Sequence, residues 1–100
     1  MICEAPIDAL SYAKLYNDTN DRTRYFATGG QISRFQWGLI DGLIEKYRSR
    51  KIAVILAFDN DPGGDAYILQ FHGRYPEEKI GIDLPPGRGQ DWNDVLQSKL

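Results

Sequence analysis

Two carboxylates, Asp59 and Asp61, stand two positions apart, directly after the unbroken apolar run of residues 52–58. Such a run predicts a strand of a parallel sheet that is buried on both faces, with the acids at its carboxyl end. Ligands of open α/β sheets bind at that edge. Because neighbouring carboxylates repel each other, they need a cation, a proton or strong hydrogen bonds to coexist. We therefore predict a site for Mg²⁺, which prefers oxygen ligands, with Mn²⁺ as a substitute.

The rest of the chain predicts strands and helices in alternation. Apolar side chains that recur at helical spacing, among them Leu10 and Leu69, predict the buried faces of helices. Ser33 and Gln36 have the form of a capping box, which starts a helix. Short connections and right-handed crossovers then predict an α/β, Rossmann-like three-layer fold, with a parallel sheet of about four strands and helices on both faces. The predicted strands are 1–3, 24–28, 52–58 and 79–84, and the predicted helices are 6–17, 33–48, 62–73 and one capped by Asp91.

Two further acids accompany the first predicted strand. Glu4 follows it directly, and Asp8 lies one turn into the next helix, on the same side. If the first and third strands are neighbours, these carboxylates meet Asp59 and Asp61 at one edge of the sheet. A carboxylate beside a metal site can move a proton, so this group of acids suits general acid–base chemistry.

The second predicted strand ends in Gly29 and Gly30, at the same edge of the sheet. A helix begins shortly after them, and the free amides of a helix N-terminus can bind a phosphate oxygen. Arg34, near the start of that helix, is a further candidate for phosphate or nucleic-acid binding. A metal site next to an anion site suits phosphodiester chemistry, because the metal neutralises phosphate charge and activates an oxygen.

Composition limits the class of protein. The chain has 100 residues, a formal net charge of −2 and one cysteine, Cys3. Its length indicates a single domain over residues 1–100, and the short first strand indicates a fragment of a longer protein. The single cysteine excludes a disulfide framework, and no apolar run is long enough to span a membrane, so we expect a cytoplasmic protein. The acidic balance weakens binding of nucleic acid by bulk charge, so a chain of this composition that acts on nucleic acid would need other domains to supply most of the binding.

Three motifs follow one another along the chain. They are Glu4-Ala-Pro-Ile-Asp8 after the first strand, Phe58-Asp-Asn-Asp61-Pro-Gly-Gly64, and the closing Asp91-Trp-Asn-Asp94. In this order they resemble the Toprim domain family, whose members include catalytic domains of bacterial primases and topoisomerases. The closer likeness is to Toprim-like domains of primase-like, plasmid or mobile-element proteins, and it covers nearly the whole chain.

The resemblance implies roles for individual residues. Glu4 matches the general acid or base of strand joining or cleavage, and Asp59 and Asp61 match the pair that coordinates Mg²⁺. Asp8 matches an acid of this subgroup that assists the metal. The resemblance therefore implies a Mg²⁺-dependent nucleotidyltransferase or nuclease acting on nucleic acid, with DNA favoured over RNA as the substrate. Related sequences often carry a lysine where Gln90 stands here, so that position is not expected to bind phosphate.

Other interpretations stay open on the sequence alone. Asp59 and Asp61 are also good turn and helix-cap residues, Asp8 suits the first turn of a helix, and Gly29 and Gly30 suit a simple turn. A non-catalytic Toprim-like module, which keeps the fold and binds a metal or nucleic acid within a larger assembly, is the main alternative function. A phospho-acceptor signalling domain fits less well, because no lysine follows the fourth strand directly.

Overall fold

The computed structural model describes residues 1–16 and 23–100, in which four strands and four helices alternate along the chain. The predicted order of elements is confirmed. The first helix ends at Leu15, and residue 17, the last of the predicted helix 6–17, lies outside the described residues. The strands are β1 (Ile2–Cys3), β2 (Phe26–Ala27), β3 (Val54–Leu56) and β4 (Ile80–Ile82), and the helices are α1 (Pro6–Leu15), α2 (Arg34–Ser49), α3 (Pro62–Arg74) and α4 (Trp92–Ser98). None of the described helices has the length and apolar character required to cross a membrane.

The four strands form one parallel sheet in the order β2-β1-β3-β4. Ile2 of β1 pairs with Phe26 on one side and with Leu56 on the other. The order of the strands reverses between β1 and β3, because β2 lies on one side of β1 and the later strands lie on the other. Such a switch point opens a crevice at the carboxyl ends of the two strands, where α/β folds bind ligands.

Helices cover both faces of the sheet, as predicted. On one face, Tyr12 of α1 and Trp92 of α4 pack with Cys3 and Ala57 in one buried cluster. On the other face, α2 and α3 supply the second cluster, which contains Ile40, Ile44 and Phe71 together with Ile2, Leu56 and Phe58. The two clusters together give the three-layer arrangement of helix, sheet and helix.

The predicted starts of α2 and α4 are confirmed by their caps. Ser33 and Gln36 form a capping box in which each side chain binds the other residue's amide. Asp91 and Asp94 do the same at the start of α4. These reciprocal bonds satisfy amides that have no partner within the helix, which fixes where each helix begins.

Three predicted burial assignments are wrong. Leu10 and Leu69 are 69% and 71% exposed, and Ile52 is 49% exposed. Helix α1 instead buries a face that carries Asp8 and Ser11, which a hydrophobicity pattern does not mark. The run 52–58 is covered on both sides only in its carboxyl half, where Leu56, Ala57 and Phe58 are fully buried, so the acids that follow still emerge from the core.

An apolar groove lies between α2 and the edge strand β2. Its volume is about 480 Å³, and Phe26, Leu39, Gly42 and Leu43 are among the residues that line it. Gly42 stands in the middle of α2, and a Cβ atom added there would meet no atom within 4 Å. The glycine is therefore not required by packing in this structure.

Gly42→Ala is expected to raise the free energy of unfolding by about 1 kcal/mol, because glycine in a helix interior costs that much relative to alanine. The midpoint of thermal unfolding should rise by roughly 4–8 °C. Gly38→Ala is the matched variant, since Gly38 also lies in α2 with open space around it. A loss of stability in Gly42→Ala alone would show that this helix position is constrained by something other than backbone conformation.

Candidate functional site

The carboxyl ends of β1 and β3 bring Glu4 and Asp59 to the same crevice. The amide of Ala57 donates to the carbonyl of Ile2 at 2.8 Å, which joins the two strands at this end. The amide of Gly29 donates to the carbonyl of Glu4 at 2.7 Å, so the loop after β2 holds the backbone of Glu4. Gly29 and Gly30 have φ angles of 74° and 114°, a region that favours glycine.

The segment before Asp59 is fixed by the core. The indole N–H of Trp92 donates to the carbonyl of Ala57 at 3.1 Å, and Trp92 is 3% exposed. Phe58 stacks on Tyr67 of α3, with ring centroids 5.1 Å apart. Because one neighbour is tied to α4 and the other to α3, Asp59 leaves the core in a defined direction.

Asn60 is fastened to the loop after β4 by its backbone and side chain. Its amide donates to the carbonyl of Gln90 at 3.0 Å, and its carbonyl accepts from the amide of Gly89 at 2.6 Å. Its side-chain Nδ2 donates to the carbonyl of Pro85 at 2.8 Å, and its Oδ1 accepts from Arg88 at 3.2 Å. The residue between the two acids is therefore held at all four of its polar atoms.

Asp61 caps helix α3, as its position before Pro62 predicts. Its Oδ1 atom accepts from the amide of Gly64 at 2.7 Å. Gly64 passes so close to Asp59 that a Cβ atom at Gly64 would overlap the carbonyl oxygen of Asp59. The tight turn from Asp59 into α3 thus depends on a residue without a side chain.

Asp59 is the most perturbed carboxylate of the site. The residue is half-buried, and its Oδ1 atom is buried without a hydrogen-bond partner among the described residues. Burial, together with the nearby carboxylates of Asp8 and Glu4, raises the pKa of Asp59 to about 7. A carboxylate in these surroundings binds a proton or a cation more readily than an exposed one.

Asp8 is buried deeper, at 3% exposure, on the face of α1 that meets α4. Its Oδ1 atom accepts from the amide of Asn93 at 3.4 Å, and Ser11 beside it bonds the side chain of Asn93. Burial raises the pKa of Asp8, and the negative charge of Asp91 raises it further. Asp8 thus belongs to the same group of mutually repelling carboxylates as Asp59.

Glu4 lies between the two helical layers. The charge of Glu4 raises the pKa of Asp8 and of Asp59. Burial and the charge of Glu4 together raise the pKa of Tyr67 on α3. The structure therefore brings Glu4, Asp8, Asp59 and Asp61 to one edge of the sheet, as the sequence predicts.

Comparison with known families agrees with this arrangement. A family model described as Toprim-like matches residues 1–96. The chain belongs to the Toprim-like family. The four-stranded parallel sheet with helices on both faces is thus a Toprim-like fold, and the resemblance seen in the three sequence motifs is confirmed. No curated protein sequence and no solved structure matches the chain. Family membership indicates a Toprim-type function in DNA processing and in association with nucleic acid.

Toprim domains generally bind Mg²⁺, and the donor set of this Toprim-like domain suits that ion. Asp59, Asp61 and Asp8 offer oxygen atoms only, and the buried Oδ1 of Asp59 has no partner among the described residues. However, no three His, Cys, Asp or Glu side chains in residues 1–16 and 23–100 lie close enough together to hold a metal. The assignment of these three acids as metal ligands stays a prediction.

The expected phosphate site after β2 differs in one respect from the sequence prediction. The Gly29 amide is not free, because it donates to Glu4. Arg34 is exposed at the first position of α2. In the first turn of this helix, the amide of Gln36 already donates to the side chain of Ser33. Phosphate binding by Gly29, Gly30 and Arg34 stays a prediction. For Gly29 the Toprim-like domain offers no support, because its amide already has a partner.

Sequence reasoning missed the residues that support the acids. Asn60 and Gln90 connect two loops through hydrogen bonds between distant parts of the chain. Such bonds leave no periodic pattern in the sequence. The only available signal was the pair of turn-rich segments, 59–64 and 85–90, which both follow strands and so meet at one edge of the Toprim-like sheet.

Proposed function

We propose that this chain is a Mg²⁺-dependent nucleotidyl-transfer or phosphodiester-cleaving domain of a larger DNA-processing protein, of the primase-like or mobile-element kind. The observation that carries the proposal is the state of Asp59. Its Oδ1 atom is buried and unpartnered among the described residues, and its pKa is raised to about 7 by burial and by neighbouring carboxylates. A divalent cation would supply the missing partner and offset the repulsion.

The residues of the site suit separate tasks. Asp59 and Asp61 would hold Mg²⁺, and Asp8 would assist directly or through water. Glu4 would be the general acid or base that transfers a proton in the reaction. The cap of α3 occupies Oδ1 of Asp61 alone, so its other carboxylate oxygen remains for a ligand. When bound, the ion would neutralise phosphate charge and activate an oxygen. Glu4 projects from the end of β1, where the amide of Gly29 holds its backbone.

A non-catalytic, metal- or nucleic-acid-binding module is the second candidate. It is favoured by the absence of three converging ligands in residues 1–16 and 23–100 and by the use of Asp61 as a helix cap. In this function the acids would bind an ion or organise the loops, and Glu4 would not take part in proton transfer.

Calorimetric titration of Mn²⁺ and Mg²⁺ tests the metal site. The parent chain should bind Mn²⁺, and Asp59→Asn/Asp61→Asn should not, although asparagine still caps α3. Glu45→Gln/Glu77→Gln is the matched control, because it removes the same charge from two exposed acids outside the site. Equal binding by the parent and the Asp59→Asn/Asp61→Asn variant would refute the metal assignment.

Glu4→Gln separates the two candidate functions. If the domain is catalytic, metal-dependent cleavage or joining of nicked or primed DNA should fall by roughly 10²–10⁴-fold, the usual contribution of a general acid or base. Mn²⁺ binding should persist in the same variant. DNA processing that is unchanged by Glu4→Gln would favour the non-catalytic module.

A further inference from the structure

Positive charge is distributed unevenly over the described residues. Most lysine and arginine side chains lie at the C-terminal ends of helices or before strands, which places them at the amino edge of the sheet. Arg34 and Arg88 are the exceptions, because they follow β2 and β4 and therefore lie at the carboxyl edge with the acids. The side chains at the opposite edge or helix ends are Lys14, Arg24, Lys46, Arg48, Arg50, Lys51, Arg74, Lys79 and Lys99.

Arg88 is bonded directly to the segment that carries the acid pair. Its NH1 donates to Oδ1 of Asn60 at 3.2 Å, and its NH2 donates to Oδ2 of Asp65 at 2.9 Å. Asn60 lies between Asp59 and Asp61. The guanidinium group therefore lies next to the proposed metal ligands. Arg88 belongs to the loop after β4, which hydrogen bonds to the backbone of Asn60 hold in place.

The bond between Arg88 and Asp65 can be exchanged at little cost. The two side chains are 58% and 48% exposed, and exposed ion pairs contribute about 1 kcal/mol or less. A phosphate group accepts two parallel hydrogen bonds from a guanidinium group, which a single carboxylate oxygen does not match. A polyanion approaching an edge that is rich in carboxylates also requires a cation there to offset the repulsion.

We infer that Arg88 binds a backbone phosphate of the nucleic-acid strand beside the Asp59–Asp61 segment, and that the phosphate displaces Asp65 as its acceptor. The inference rests on the proposed function, since it names the group that holds the substrate at that site. Asp65 then acts as a competitor that occupies Arg88 in the free domain.

Salt-dependent binding of DNA tests the role of Arg88. Fluorescence anisotropy of a labelled single-stranded oligodeoxynucleotide would be measured with Mg²⁺ over a range of KCl concentrations. Arg88→Gln should weaken binding about tenfold, the effect of losing a hydrogen bond to a charged group. The slope of log K against log salt should fall by about 0.7, the value for one phosphate contact on a single strand. Arg50→Gln, which removes an exposed cation at the other edge, should leave that slope nearly unchanged.

Asp65→Asn distinguishes a phosphate contact from a structural ion pair. If Asp65 competes with phosphate, Asp65→Asn should tighten DNA binding by about threefold or more, beyond the effect of Glu45→Gln, an equal charge change on α2. A purely structural pair predicts that both Arg88→Gln and Asp65→Asn act in the same direction or not at all. That result would overturn the inference.

The inference and the proposed function fail separately. Mn²⁺ binding lost in Asp59→Asn/Asp61→Asn, together with an unchanged DNA affinity and salt slope in Arg88→Gln, would remove Arg88 and leave the metal site. An effect of Arg88→Gln without Mn²⁺ binding by the parent would leave a nucleic-acid contact without the proposed chemistry. A parent chain that binds no oligodeoxynucleotide would overturn the role of Arg88 in this chain.

Discussion

Gly64→Ala is expected to lower the free energy of unfolding by about 3 kcal/mol, the upper range for a side chain inserted into a packed region. The added Cβ atom would overlap the carbonyl oxygen of Asp59 and would lie 2.9 Å from its carbonyl carbon. The obstacle is backbone, so no side-chain rotation relieves it. Because Asp59 must move, Mn²⁺ binding should weaken together with stability, as denaturant titration and calorimetry would show.

Gly63→Ala is the control for this prediction. Gly63 lies in the same first turn of α3, and the nearest atom to an added Cβ is Oδ1 of Asp61 at 3.4 Å, an ordinary contact distance. Both substitutions raise helix propensity by the same amount, so the difference between them isolates the collision with Asp59. Equal stability of the two variants would mean that the turn does not approach Asp59 as closely as described.

Asp59→Asn is expected to make the metal-free protein more stable than the parent by about 1–2 kcal/mol at pH 8, a value discounted for partial exposure. The pKa of Asp59 is about 7 in the folded chain and near 4 when unfolded. Between these values the folded chain holds a proton that the unfolded chain releases. The stability that this carboxyl contributes is therefore complete below about pH 4 and is lost as the pH rises through 7.

Denaturant titrations in EDTA at several pH values would measure this effect. The two proteins should have similar stability at pH 4, and the advantage of Asp59→Asn should grow up to pH 8. Asp94→Asn would not serve as a control, because Asp94 takes part in the capping box of α4. Glu45→Gln, at an exposed position on α2, is suitable. A difference between Asp59→Asn and the parent that does not vary with pH would contradict the raised pKa.

The order of elements and the site edge could be predicted from the sequence for a physical reason. A parallel strand that is buried on both sides requires an apolar run, and the first polar residues after it must lie at the edge of the sheet. Asp59 and Asp61 were placed in this way, and the same argument placed Glu4. The N-caps Ser33, Asp61 and Asp91 could be located because their bonding partners lie three residues away.

The remaining features depend on contacts that no local pattern records. Helix α1 buries Asp8 and Ser11, which find polar partners on α4, so its buried face is not its most apolar face. Leu10 was misplaced for that reason. The bonds that hold Asn60 come from a distant loop, and the occupied amide of Gly29 depends on Glu4. Predicting them requires the strand order and the packing of the loops in addition to the periodicity of each element.

The central position of β1 has a consequence for how the chain folds during its synthesis. β1 is synthesised before the other three strands, yet Ile2 finds its partner Leu56 only after a long stretch of chain has been added. The hydrogen bond from the indole of Trp92 to the carbonyl of Ala57 can form only later still, after Trp92 has been synthesised. Pairings between such distant residues form slowly, because a large loop must lose conformational entropy before any contact offsets that loss. The surroundings of Asp59 are thus completed late, when α4 has left the ribosome and packed against α1.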